Sequence, residues 1–121
     1  MTTLKLRILF NDAMLGPGKA ELLARIESTG SIAAAGREME MSYKRAWMLV
    51  EELNAAFAEP LVTSARGGAG GGGARLTEMG REVLRLYHEV VDRALAASAE
   101  QIAALEAKLA LKASSDIPDG K

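Results

Sequence analysis

The spacing of apolar residues changes twice along this chain. Leu4, Leu6, Ile8 and Phe10 recur every second position, with Lys5, Arg7 and Leu9 between them, which predicts a strand over Leu4–Phe10. Asn11–Asp12 opens a turn and Gly16-Pro17-Gly18 closes the loop. The period then lengthens to three and four. Leu22, Leu23, Ile26 and Ala20 fall on one face of a helix over about Lys19–Thr29, and Gly30 is placed to end it. Ser31 is placed to cap a second helix reaching Met39, with Ile32, Ala35 and Met39 on its inner face. The small residues Ala33, Ala34 and Ala35 allow a neighbouring helix close. Glu40 and Met41 form a turn, and Ser42 caps a third helix over Tyr43–Phe57. Ala46, Leu49, Val50, Leu53 and Phe57 read as its buried face. Tyr43, Lys44, Trp47, Met48 and Glu51 read as the opposite one.

After Pro60 the pattern turns to a hairpin. Leu61–Ala65 is a short strand signal, the glycines between Arg66 and Arg75 form its tip, and Ala74–Leu76 returns as the second strand. Thr77 is placed to cap a long helix, with Glu78 favourable in the first turn. If that helix ran to about Leu111 it would be about 50 Å long. One small domain cannot cover such a helix. Its apolar positions Val83, Leu84, Tyr87, Val91, Ala94, Leu95, Ser98, Ile102, Leu105 and Leu109 recur at threes and fours and lack a partner stripe elsewhere in the chain. A second copy of the chain is the economical partner. The expected organisation is residues 1–76 as one domain, 77–112 as a long dimerisation helix, and 113–121 as a disordered tail.

Two adjacent helices joined by a tight turn, the second opening with Ser-Tyr-Lys-Arg, are how a DNA-reading helix-turn-helix is written. Tyr43, Lys44 and Arg45 bring one aromatic hydroxyl and two cations to a capped helix start, where backbone N–H groups favour phosphate. The expected DNA-contact residues are Ser31, Ser42, Tyr43, Lys44, Arg45, Met48, Arg66 and Arg75. Lys44, Arg66 and Arg75 would hold phosphates, while Tyr43, Arg45 and Met48 would read major-groove edges. A hairpin after the reading helix makes this a winged fold, with Arg66 and Arg75 at the base of the wing. The fold class expected is mainly α with small β. It comprises an N-terminal strand, a winged helix-turn-helix with a two-stranded Gly-rich wing, and a long C-terminal dimerisation helix. Leu84, Tyr87, Val91, Leu95, Ile102 and Leu105 are the expected dimer-interface residues. For Trp47, packing against the wing or the first strand is favoured over contact with the DNA backbone or a base.

Bulk properties narrow the chemistry. The 121 residues carry a net charge of −1 and no cysteine, which excludes disulfides and thiolate metal sites. The negative sum is a mild argument against nucleic acid. However, residues 1–76 hold nine Lys/Arg against eight Asp/Glu, and residues 77–121 hold six against eight. A DNA surface needs a local basic patch, not a basic protein. Gly68, Gly70 and Gly73 match G-x-G-x-x-G, but no βαβ unit follows them, so no nucleotide site is expected. One histidine, His88, and no recognisable pocket motif leave catalysis nothing to build on. No catalytic residue, metal or cofactor is expected, and the protein is read as a non-enzyme. The six methionines read as core filler. No leader or membrane span is visible, and a cytoplasmic location is expected.

The strings GSIAAAGREMEMSYKRAWMLVEELN, PLV, GGAGGGGARLTEMG and LLARIESTGSI resemble the N-terminal DNA-binding domain of the ModE family of molybdate-responsive regulators. The likeness covers about Leu4 to Val91, and the Ser-Tyr-Lys-x-Ala-Trp string at 42–47 followed by the glycine-rich wing is its specific part. Leu76-Thr77-Glu78-Met79-Gly80 is also similar to the start of the dimer helix in LysR-type regulators. The resemblance implies a homodimeric winged-helix regulator of transcription. It implies a palindromic site on double-stranded DNA, contacted through Ser42, Tyr43, Lys44 and Arg45, with Arg66 and Arg75 on the wing. Family members that sense molybdate carry C-terminal oxyanion-binding domains, whereas this sequence ends at Lys121 and offers no support for molybdate as a ligand. A stand-alone reader, a piece of a longer regulator, and a protein whose effector acts through something else all fit. Two other functional classes remain open: a winged protein–protein interaction module, and an oxyanion sensor with its ligand at the dimer interface.

Overall fold

A computed structural model describes residues 2–65 and 73–110. The expectations for Arg66, the tip of the wing and the tail at 113–121 therefore lie outside the described residues. The elements in chain order are β1 (Ile8–Leu9), β2 (Met14–Leu15), α1 (Pro17–Thr29), α2 (Ile32–Glu38), α3 (Tyr43–Ala56), β3 (Val62–Ala65), β4 (Gly73–Leu76), α4 (Glu78–Ala97) and α5 (Ala99–Ala107). This is a winged helix-turn-helix. The chain divides into two compact units, Met1–Val91 and Asp92–Lys121.

In the first unit, the period-two pattern at the N-terminus has its expected burial. Leu4, Leu6 and Ile8 are half-buried, and Lys5, Arg7 and Leu9 are exposed. Only two residues of the expected strand pair, however. Ile8 faces Leu15 and Leu9 faces Met14 in an antiparallel hairpin, so the loop contains a strand that the sequence pattern did not reveal. Two apolar residues are too short a run to show a period. The residues before the hairpin are fixed from elsewhere. The Tyr87 hydroxyl, on α4, donates to the Leu6 carbonyl at 2.6 Å.

The three central helices begin and end where small polar residues and glycine allow. Gly30 closes α1 at φ 74°, in the left-handed region, with its N–H on the Ile26 carbonyl at 2.8 Å. The Ser31 hydroxyl accepts from Ala34 N–H at 3.0 Å, and the Ser42 hydroxyl accepts from Arg45 N–H at 3.1 Å. Each satisfies one N–H of a helix start that would otherwise lack a partner. Leu22, Leu23, Ile26, Leu53, Leu61 and Leu76 are fully buried, so α1, α3 and the wing strands share one core. Each such side chain contributes roughly 1.5–3 kcal/mol on leaving water. Ala35 of α2 and Ala46 of α3 are also fully buried, which lets these two helices cross closely.

The wing is an antiparallel pair with Val62 opposite Leu76, Thr63 opposite Arg75, Ser64 opposite Ala74 and Ala65 opposite Gly73. Ala74 N–H also bonds the Gly30 carbonyl at 2.9 Å, tying the wing to the end of α1. The Thr77 hydroxyl caps α4 by accepting from Gly80 N–H at 2.9 Å, and donates to the Pro60 carbonyl at 2.7 Å. Val83 and Tyr87 carry α4 into the core. Tyr87 was expected at a dimer interface. It is 5% exposed, and its hydroxyl is engaged by Leu6, so its surface is already used within the domain. Burial raises its phenol pKa, and the Leu6 hydrogen bond works against that rise to a smaller extent.

The second unit holds the end of α4 and α5. The long helix expected to reach about Leu111 is interrupted at Ser98, and α5 ends at Ala107. The Ser98 hydroxyl donates to the Ala94 carbonyl at 2.7 Å, which the Ser98 N–H also reaches at 3.0 Å, and such back-bonding bends a helix. No residue of α5 is buried in this chain. No helix of the described residues is long and apolar enough to cross a membrane.

Gly80 is the tightest point of the first unit. A Cβ added there would lie 2.1 Å from the Leu61 carbonyl oxygen, a backbone atom that cannot swing aside. Gly80→Ala should therefore destabilise the domain by about 1–3 kcal/mol, despite the better helix propensity of alanine. Urea unfolding followed by circular dichroism checks this.

Candidate nucleic-acid interface

The reading surface is built by the turn between α2 and α3. Met39 ends α2, Glu40 N–H bonds the Arg37 carbonyl at 3.0 Å, and Met41 N–H bonds the Gly36 carbonyl at 2.9 Å. That pair of bonds requires a left-handed residue between them. Glu40 supplies it at φ 60°, among the described residues the only non-glycine at positive φ. The turn therefore exists without the glycine that would make it easiest.

Past the turn, α3 presents two faces. Ala46, Val50 and Leu53 are buried, and Leu49 and Phe57 pack partly against the same core. Tyr43, Lys44, Arg45, Trp47, Met48 and Glu51 are exposed. Tyr43, Lys44 and Arg45 thus sit together in the first turn, with Met48 one turn on. Ser42 is exposed at the helix start, while Ser31 is half-buried at the start of α2. Each hydroxyl accepts a capping N–H and keeps its own hydrogen to donate. Tyr43 and Met48 are large and largely solvent-facing, at 56% and 47% exposed, which core packing does not explain. Trp47, expected to pack, is 45% exposed. With Asn54, Thr63, Ser64 and Ala74 it borders a cleft of about 330 Å³ between α3 and the wing.

Arg75 lies exposed on β4, directly across from the exposed Thr63. Thr63 was not singled out in the sequence, because only the strand register places it opposite Arg75. Asn54 was also missed. Its Oδ1 accepts from Leu61 N–H at 2.8 Å and Val62 N–H at 3.1 Å, and its Nδ2 donates to the Val62 carbonyl at 3.2 Å. This one amide sets the wing against the reading helix. The available signal was a polar residue beside the apolar stripe of α3, shortly before Pro60.

Three carboxylates of the helical core of this domain are held in ion pairs, while Glu51 stays exposed on the outer face of α3. Glu21 and Glu38 both pair with Arg25, joining α1 to α2 and raising the Arg25 pKa. Glu52 pairs with Lys19 at 3.2 Å. Lys44, Arg45 and Arg75 have no ion pair among the described residues.

With this geometry in place, the comparison with known proteins is specific. Residues 18–81 match the family described as bacterial regulatory helix-turn-helix protein, lysR family. The chain belongs to that family. The molybdenum-pterin-binding protein MopB of Rhodobacter capsulatus is 48% identical over 75 residues, which is 62% of this chain and 28% of MopB. The transcriptional regulator ModE of Yersinia pestis is 42% identical over 88 residues, 72% of this chain and 32% of that protein. The DNA-binding transcriptional dual regulator ModE of Escherichia coli K12 is 41% identical over 88 residues, with the same coverage. The chain spans about a third of the length of these relatives. The ModE resemblance carried by the Ser-Tyr-Lys-x-Ala-Trp string and the wing is upheld, and the helix-turn-helix here is that of a family of transcriptional regulators.

The left-handed Glu40 makes a clean test of the turn. A non-glycine residue in this conformation costs about 1–2 kcal/mol, and glycine costs the unfolded chain about 0.5–1 kcal/mol of entropy. Glu40→Gly should therefore stabilise the protein by roughly 0.5–1 kcal/mol, read as a rise in the thermal midpoint.

Proposed function

We propose that this chain binds double-stranded DNA sequence-specifically, as the reading domain of a ModE-like transcriptional regulator, and that it acts as a homodimer in the cytoplasm. The observation that carries this reading is the outer face of α3. A serine-capped helix start presents Tyr43, Lys44 and Arg45 together, unpaired and exposed, with Met48 one turn on. Lys44 and Arg75 are assigned to phosphates. Ser31 and Ser42 are assigned to phosphates at their helix starts, and Tyr43, Arg45 and Met48 to base edges. Arg66 completes the wing in this assignment, although it lies outside the described residues. No step of chemistry is assigned, and the role is binding. The molybdenum in the relatives' names makes promoters tied to molybdenum the first to examine as targets.

Pairing of two copies is assigned to the apolar positions that α4 and α5 leave in solvent. Leu86 and Val90 are 45% and 42% exposed, and Leu95, Leu105 and Leu109 are exposed further on. Leu84, Val91 and Ile102 are half-buried and stay within the proposed interface, whereas Tyr87 leaves it. Two-fold symmetry then implies a palindromic site with half-sites about 34 Å apart or a multiple of it.

Sequence selection on the purified protein, followed by gel-shift titration, tests the DNA reading. Arg45→Ala should relax base preference at one position by about 1–3 kcal/mol, whereas Arg75→Ala should weaken all sequences alike and lower the salt slope by about one. Absence of binding to selected or random duplex at low salt would exclude DNA and leave the interaction-module reading. For the dimer, sedimentation should give twice the monomer mass for the wild type. The double variant Leu95→Glu/Leu105→Glu should sediment as a monomer, because charge is not tolerated in a buried apolar seam.

A further inference from the structure

One cationic site lies outside the reading helix and the wing. At the start of α1, Gly16, Gly18, Arg7 and Arg45 wall a cleft of about 230 Å³, with Met41 and Leu49 among its apolar lining. Lys19 also borders it, but its ammonium is held by Glu52 at 3.2 Å and the Met14 carbonyl at 3.3 Å. No carboxylate lines the cleft. Arg7 and Arg45 are exposed and have no ion pair or side-chain hydrogen bond among the described residues, so the cleft is a mainly apolar recess bordered by two unpaired arginines.

Arg7 is held there by packing. Gly16 has an extended backbone that any residue could adopt, at φ −142°. Its lack of a side chain instead makes room for Arg7. A Cβ at Gly16 would sit 2.9 Å from Arg7 Cγ and 3.7 Å from Arg7 Cα. The aliphatic stem of Arg7 therefore lies across the first turn of α1. No side chain caps that thirteen-residue helix and no acidic residue occupies its first turn. Its early N–H groups and positive dipole end add to the two guanidinium groups. Arg45 belongs to the first turn of α3, so the cleft is continuous with the reading surface.

We propose that this cleft seats a backbone phosphate of the bound duplex. Arg7 and the start of α1 hold the phosphate that flanks the bases read by Arg45. The inference rests on the DNA reading above and extends the contact surface to the N-terminal segment. The shared chemistry is phosphate, free or in a duplex. Continuity with α3 and an apolar lining suited to a deoxyribose favour the duplex.

The test measures affinity of the full chain for one selected duplex across salt concentrations. Arg7→Gln keeps the stem over Gly16 and removes the charge, Arg7→Lys keeps the charge, and Arg85→Ala removes the same charge from α4. Arg7→Gln should lower the salt slope by about one, so that its deficit against wild type shrinks about threefold between 50 and 200 mM salt. Its ranking of base sequences should be unchanged, and Arg7→Lys and Arg85→Ala should keep the wild-type slope. A wild-type slope in Arg7→Gln, with wild type binding normally, overturns the phosphate seat alone. Failure of the wild type to bind any duplex overturns the DNA reading beneath it. Calorimetry with inorganic phosphate should show no saturable binding below low millimolar concentration. Tight phosphate binding lost in Arg7→Gln would make the cleft a pocket for a free anion and overturn the duplex assignment.

Discussion

The backbone at Leu61 is the joint on which the rest of the domain depends. Its side chain is fully buried, so its peptide groups must find partners inside the protein. Its N–H goes to Asn54 of α3, and its carbonyl accepts from Thr77 N–H at 2.9 Å, just ahead of α4. Gly80 leaves the space in which that carbonyl lies. Reading helix, wing and the start of α4 are thereby fastened at one residue. Each hydrogen bond contributes only about 1 kcal/mol net, but leaving any of these buried groups unpaired costs about 1–3 kcal/mol. The joint therefore specifies more than it stabilises. It fixes the angle between the outer face of α3 and the strand that carries Arg75, and a two-part DNA surface needs that angle constant.

Charge is sorted by the same fold. A net charge of −1 gives little reason to expect a nucleic-acid surface. The pairing inside the chain changes that reading. Arg25 takes Glu21 and Glu38, Lys19 takes Glu52, and Arg85 takes Glu82 and Glu89. Surface pairs of this kind contribute at most about 1 kcal/mol each. Their larger effect is to hold carboxylates away from the cations that remain free. Arg7, Lys44, Arg45 and Arg75 are among the cations that have no ion pair in the described residues. The first turn of α3 is thus locally cationic although the chain as a whole is not, because nearby charges matter more than the total.

How much of this was legible in the sequence depended on the range of the interaction. The serine caps, Gly30 and the inner faces of α1 and α3 follow from spacings of three or four residues, and each is present as read. Interactions over longer separations were not legible. The Thr63–Arg75 pair needs the wing register, and the three bonds of Asn54 need the position of β3. Tyr87 fitted the apolar stripe of its helix and was read with the dimer face. Its hydroxyl, however, bonds Leu6 across 81 positions, a contact no local pattern encodes. Ser98 was counted among the apolar positions of the stripe, whereas its hydroxyl bonds back to the Ala94 carbonyl and the element divides there.

The N-terminal segment shows how a core interaction reaches the surface. A period of two puts Leu6 inward and Arg7 outward by necessity. Tyr87 holds the carbonyl of Leu6, and the pairing of Ile8 with Leu15 holds the other side, so the backbone of Arg7 is fixed between two anchors. Both anchors lie in the core formed by α4 and the hairpin, away from any surface that reads bases. The Tyr87 phenol is neutral, and therefore a donor, through physiological pH, and burial raises its pKa further above the ordinary phenol value. Arg7 accordingly reaches the start of α1 from a segment anchored on both sides. In the phosphate seat proposed above, such a contact would report the placement of the whole domain on the duplex, and the choice of sequence would stay with the first turn of α3.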